Sequence, residues 1–169
     1  VLNHRDYPTR EAFDADLATA IEGYTPDWVI LAGFMRILTP GFVDRFTGRM
    51  LNIHPSLLPK YRGLDTHARA LADGESEHGA SVHFVTPELD GGPIIMQARV
   101  PVEPDDTPDT LAARVQRAEH RLYPEVVRRV CSGKIQWSGR ILQADGTPLE
   151  APLQLDEDTH DASPPQPAG

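Results

Sequence analysis

One cysteine, Cys131, stands among 169 residues. A single thiol excludes an intrachain disulfide framework, and the Cys-rich spacings that hold zinc are absent. The seven histidines are scattered without ligand spacing, so no metal is expected. No apolar run approaches the ~20 residues that cross a bilayer, and no signal-peptide pattern is present, so neither a membrane nor secretion is expected and cytoplasm is the default compartment. Basic charge is scarce. Sixteen Lys and Arg against 25 Asp and Glu leave a net charge of −9, which argues against a general nucleic-acid-binding surface. A local basic pocket stays open, with Lys60-Tyr61-Arg62 the best candidate. Prolines are numerous, but several fall in the last twenty residues. The length fits one domain with a substantial core, and the hydrophobic share of 40% and charged share of 24% are ordinary for a globular chain.

Four segments near the start set the fold class. "TREAFDADLATAIEG", 9–23, reads as an amphipathic helix capped by Thr9, with Phe13, Leu17 and Ile21 recurring every four residues and Gly23 closing it. "DWVILAG", 27–33, is a continuous apolar run, as a strand covered on both faces requires. "TPGFVDRFTG", 39–48, opens with a cap and a proline at the first helical position and makes a short helix. "RMLNIH", 49–54, is the next strand. Helix, strand, helix, strand predicts an α/β fold, Rossmann-like, with a mostly parallel sheet flanked by helices. Ligands of such sheets sit outside the carboxyl ends of the strands, which places Gly33-Phe34-Met35-Arg36 and Asn52-Ile53-His54 at one edge.

Further on, a helix is expected from about 65 to 73, and "ASVHFVT" with "PIIMQARVPV" is expected to pair as a hairpin across "PELDGG". A long helix follows from about 107 to 132, with Leu111, Val115, Ala118, Leu122, Val126 and Val130 on one face and Pro124 expected to kink or split it. "KIQWSGRILQADG" reads as a small hairpin around Ser138-Gly139. One domain over 1–153 is expected, followed by a disordered acidic, Pro-rich tail over 154–169.

Asn52 and His54 lie two apart on a strand and share a face, with Ile53 directed to the core. An amide N–H is a good oxyanion donor and an imidazole moves protons near neutral pH, so the pair fits acyl transfer. Equally, Asn52 could bond a neighbouring loop and His54 could be a satisfied structural histidine. "ELDGG", 88–92, either presents Asp90 to the same edge on glycines that allow close backbone approach, or is a plain hairpin turn. His83, inside a strand, reads as a structural neighbour, and Cys131 as packing.

Three separated stretches, "LNIHPSLLPKYRGLDTHARAL", "HGASVHFVTPELDGGPIIMQ" and "RVQRAEHRLYP", resemble the phosphoribosylglycinamide formyltransferase family in order and spacing. The similarity runs from about residue 9 to about 142. It implies transfer of a formyl group from the co-substrate 10-formyltetrahydrofolate to the amine of glycinamide ribonucleotide, without a metal. The family's catalytic asparagine, histidine and aspartate fall on Asn52, His54 and Asp90. The resemblance further implies folate contacts at Arg36, Ile37, Leu38, Asn52, Val85, Thr86 and Asp90. Ribonucleotide contacts are implied at Met35, Ile53, Pro55 and Glu119. Methionyl-tRNA formyltransferases and formyltetrahydrofolate hydrolases share the Asn-x-His core, but "GLDTHARAL" and "EHRLYP" favour the glycinamide ribonucleotide branch. Hydrolysis of the same folate and an inactive folate-binding fragment are the competing expectations. The second arises because the family's opening strand and Gly-Ser-Asn phosphate loop have no counterpart here, a segment on the order of fifty residues, or about two β–α steps. Poor turnover by this chain alone is the corresponding expectation. The oligomeric state is left open.

Overall fold

The computed structural model describes residues 2–33 and 36–155. A short 3-10 turn, His4–Asp6, precedes helix α1, Arg10–Glu22, which Thr9 caps through the Ala12 amide at 3.1 Å. Strand β1, Val29–Leu31, helix α2, Pro40–Arg45, and strand β2, Met50–His54, follow. Helix α3, Thr66–Ala72, leads to strands β3, Glu77–Phe84, and β4, Ile94–Pro101. The long helix α4, Pro108–Cys131, is followed by the short strands β5, Ile135–Trp137, β6, Leu142–Ala144, β7, Thr147–Pro148, and β8, Leu153–Gln154.

The main sheet has the order β1-β2-β3-β4-β8. It is mixed: β1–β2 and β4–β8 are parallel, while β2–β3 and β3–β4 are antiparallel. The α/β class stands, and the expected hairpin across 87–92 is what brings in the antiparallel half. Among the described residues, two of four pairings are parallel rather than most.

Alternation along β2 divides the interior. Leu51 joins the larger core with β3, β4 and the apolar face of α4, and Ile53 packs against it. Met50 joins a smaller cluster with Ala18, Val29, Phe42, Val43 and Phe46, beneath α1 and α2. Helices therefore cover both faces. Asn52 and His54 continue the Met50 side of the strand, beyond the end of that cluster.

The six residues expected on the inner face of α4 are all buried, and a capping box at Thr107 and Thr110 starts the helix. Pro124 does not split it. Its missing N–H leaves the carbonyl of His120 without a helical donor, but His120 is on the exposed side, where water can take that role. Cys131 is exposed at the helix end rather than packed, because the inward stripe ends one residue earlier at Val130. The tail expectation began at 154, yet Leu153 and Gln154 pair in register with Met96 and Gln97, and the Leu155 amide donates to Gln97. Residues 156–169 lie outside the described residues. No helix among those described is long and apolar enough to cross a membrane.

Candidate active site

Register places the two strand ends together: Leu31 of β1 is the partner of Asn52 on β2. Tyr123 of α4 ties this edge down, its hydroxyl donating to the Leu31 carbonyl at 2.6 Å with the Leu51 carbonyl sharing that proton at 3.1 Å. Glu119 is one turn earlier on the same face of α4, half-buried, and burial pushes its carboxyl above the ordinary range. Tyr123 was not expected from the sequence. A tyrosine beside the aliphatic stripe of α4, four residues after Glu119, was the available signal.

His54 is 5% exposed, and an acceptor faces each of its ring nitrogens. Nε2 is 2.8 Å from the carbonyl of Tyr61, so this nitrogen donates. Nδ1 is 3.4 Å from Oδ2 of Asp90, an ion-pair separation rather than a short hydrogen bond. Asn52, half-buried, shares the His54 face, and its side-chain amide makes no hydrogen bond to the other described residues. The quiet alternative, an Asn52 bonded to a neighbouring loop, does not hold among those residues.

Asp90 lies in the loop joining β3 and β4 with φ of +48°, a left-handed conformation that a non-glycine residue holds only when its surroundings impose it. Two contacts do so here. The Gly63 amide donates to Oδ2 at 2.9 Å, and the Gly91 amide closes the turn on the Glu88 carbonyl. Gly92 lets the returning chain pass so close to β3 that a Cβ there would run into the Phe84 carbonyl. The segment is thus both a hairpin turn and a mount that buries the Asp90 carboxylate beside His54. His83 flanks the other oxygen, its Nε2 3.8 Å from Oδ1, while its Nδ1 donates to the Phe84 carbonyl at 2.8 Å. Burial pushes the His83 pKa down, and the nearby Asp90 opposes this more weakly.

The remaining expected contacts distribute as follows. Leu38 and Val85 pack on the same small cluster, so the two segments that carry the implied folate contacts do meet. The Val85 amide donates to the Met50 carbonyl, and the Thr86 hydroxyl reaches the Glu88 carbonyl at 3.4 Å. Arg36 lies over the Phe13 ring at 4.6 Å, and its buried Nη1 has no hydrogen-bond partner among the described residues. Ile37 is 55% exposed. Ile53 is half-buried against the main core, and the Pro55 carbonyl accepts from the Thr66 hydroxyl. Met35, with Phe34, lies outside the described residues. The basic-pocket expectation for Lys60-Tyr61-Arg62 fails: Lys60 pairs with Glu75 at 2.6 Å and Arg62 with Glu88, so both charges are neutralised locally.

Behind His54, the rings of His67 and His78 meet edge to face, with centroids 5.2 Å apart. Nδ1 of His67 and Nε2 of His78 are buried without partners among the described residues. Burial pushes His78 down to about 4, with His67 adding repulsion and Glu75 opposing, and burial lowers His67 as well. The folded chain therefore resists protons that an unfolded histidine takes up near pH 6.5. Stability from these groups is complete above that pH and is lost as pH falls toward 4. The urea midpoint is expected to drop between pH 7 and pH 4.5, and His78→Gln is expected to flatten that drop. Equal drops in both proteins would remove His78 from the account.

The fold, with a buried His–Asp pair at the carboxyl edge of its sheet, is that of the formyl transferases, whose family profile matches residues 1–127. The chain is 54% identical over 143 residues to phosphoribosylglycinamide formyltransferase of Escherichia coli, covering 85% of this chain and 68% of that protein. It superposes on the phosphoribosylglycinamide formyltransferase structure from Coxiella burnetii with a TM-score of 0.87 at 48% identity, covering 92% of this chain and 74% of that one. It is also 46% identical over 143 residues to the trifunctional purine biosynthetic protein adenosine-3 of Bos taurus, covering 83% of this chain and 14% of that protein. The chain belongs to the phosphoribosylglycinamide formyltransferase family.

Proposed function

We propose that this chain transfers the formyl group of 10-formyltetrahydrofolate to the amine of glycinamide ribonucleotide, a step of purine biosynthesis, with Asn52, His54 and Asp90 as the catalytic residues. The observation that carries the residue assignment is the Asp90 carboxylate, 7% exposed and held at 3.4 Å from His54 Nδ1 by the Gly63 amide.

The amine attacks the formyl carbon, forming a tetrahedral intermediate with an oxyanion. Asn52 donates its free amide N–H to that oxygen. The imidazole is committed to the Tyr61 carbonyl at Nε2, so it meets the reacting groups at its Nδ1 edge, beside Asp90. At 3.4 Å a proton on Nδ1 is not fully engaged by the carboxylate and is available to the oxyanion. The attacking nitrogen must lose a proton and the folate nitrogen must gain one. Asp90, through a water molecule, relays it. When the intermediate collapses, the bond from carbon to the folate nitrogen breaks, and no covalent enzyme intermediate is needed.

The pterin is expected against Arg36, Ile37, Leu38 and the Val85–Thr86 segment, and the ribonucleotide against Met35, Ile53, Pro55 and Glu119. The half-buried Glu119 carboxylate, one turn from the Tyr123 anchor, suits ribose hydroxyls. The names of the relatives favour transfer over hydrolysis of the folate. The test follows tetrahydrofolate release with and without the ribonucleotide. Release that depends on the ribonucleotide is expected. Formate release at an equal rate without it would make the chain a hydrolase, and folate binding with no turnover would make it a binding fragment.

A further inference from the structure

The stretch between β2 and α3 touches both members of the His–Asp pair. Its Tyr61 carbonyl accepts from His54 Nε2 at 2.8 Å, and its Gly63 amide donates to Asp90 Oδ2 at 2.9 Å. We infer that Tyr61 is a positioning residue, whose anchored side chain holds its own carbonyl on His54 and so sets the orientation of the imidazole. The inference rests on the transfer reaction proposed above.

The geometry of Tyr61 requires an anchor. Its φ is +56°, in the left-handed region that a bulky residue occupies only under constraint. The constraint comes from its far end. The phenol hydroxyl is shared between Asp73 at 2.8 Å and Glu75 at 2.9 Å, both just beyond α3. Burial and these two carboxylates push the phenol pKa up, so it stays a donor. Arg69 of α3 lies over the ring at 5.3 Å and donates to the carbonyls of Arg62 at 2.7 Å and Leu64 at 3.2 Å. On the other side, the Ser56 hydroxyl donates to the Lys60 carbonyl at 2.6 Å, and Lys60 pairs with Glu75.

The Tyr61 carbonyl is therefore fixed by residues before it, after it and at the tip of its own side chain. It also decides which ring edge serves the reaction. An acceptor at 2.8 Å holds one N–H on Nε2, so the second proton, the one offered to the oxyanion, is carried at Nδ1, the edge that Asp90 and the reacting atoms meet. A loop that merely packed against the site would give no such control of the ring.

Tyr61→Phe keeps the ring under Arg69 and removes only the hydroxyl anchor. Expected is a fall in kcat of about five- to tenfold, the loss of roughly one oriented hydrogen bond, with KM for both substrates within about twofold. Nitrogen NMR of the His54 ring in the free protein is expected to show faster solvent exchange of the Nε2 proton. A double replacement of Asp73 and Glu75 by Ala cuts the same anchor from its exposed end and is expected to reproduce both effects. Glu75→Gln, which keeps an acceptor, is expected to stay within about twofold of the parent. Unchanged kcat and an unchanged ring spectrum in Tyr61→Phe would overturn the inference, as would a loss confined to KM. Should the parent chain show no formyl transfer, the function proposal fails while the ring spectrum still decides whether Tyr61 orients His54.

Discussion

Asp90→Asn is expected to lower kcat by about 10²- to 10⁴-fold, the range for losing a positioned acid–base group, while folate affinity changes little. The substitution is nearly isosteric, and the site accommodates it. The amide oxygen can take the place of Oδ2, accepting from the Gly63 amide. The amide nitrogen then faces Nε2 of His83, a buried nitrogen that has no hydrogen-bond partner among the described residues. The loop and its left-handed turn keep their support, so thermal stability is expected to hold. What disappears is the negative charge at 3.4 Å from His54 and the acceptor for a proton leaving the attacking amine. Turnover and thermal melting measured on one preparation check this. A loss of activity that tracks a loss of folded protein would instead make Asp90 a structural residue.

His54→Ala is expected to reduce kcat over the same range of about 10²–10⁴, and in contrast to cost stability. The ring is buried, and its removal leaves the Tyr61 carbonyl without the donor it has at 2.8 Å. An unsatisfied buried acceptor costs about 1–3 kcal/mol, before any cavity effect. Turnover must therefore be counted per folded molecule, with the folded fraction read from denaturant curves. The two variants together separate charge from scaffold: one loses chemistry alone, the other loses chemistry and a loop anchor. A His54→Ala protein that turns over normally per folded molecule would return His54 to a structural role.

Much of this site was legible because it rests on periodicity. Two residues apart on a strand means one face, so Asn52 and His54 had to point together, and β2 divides its side chains between the two cores as that rule requires. The four-residue spacing of α4 and the caps at Thr9 and Thr39 depend only on local sequence, and the structure keeps them. Contacts between distant segments were less legible. Nothing near Lys60 or Arg62 in the chain announces Glu75 or Glu88, so the charges looked free. Burial of a whole strand was also not announced, yet His78 through Phe84 of β3 are all buried. One side lies under α4. On the other, the Ser81 hydroxyl donates to the Ser56 carbonyl, and Gln97 binds both the Leu58 carbonyl and Ser81, sealing the sheet with a polar network. Backbone groups were the least legible of all. The Tyr61 carbonyl and the Gly63 amide carry no residue-type signature, though they hold both halves of the His–Asp pair.

The central claim is that His54 and Asp90 act as one unit on the reacting carbon. A double-mutant cycle on single-turnover formyl transfer, using His54→Ala, Asp90→Asn and the pair, tests it most directly. The account predicts that the double variant is little slower than the slower single variant, because each change disables the same device. Losses that multiply in full would mean two independent contributions and would contradict it.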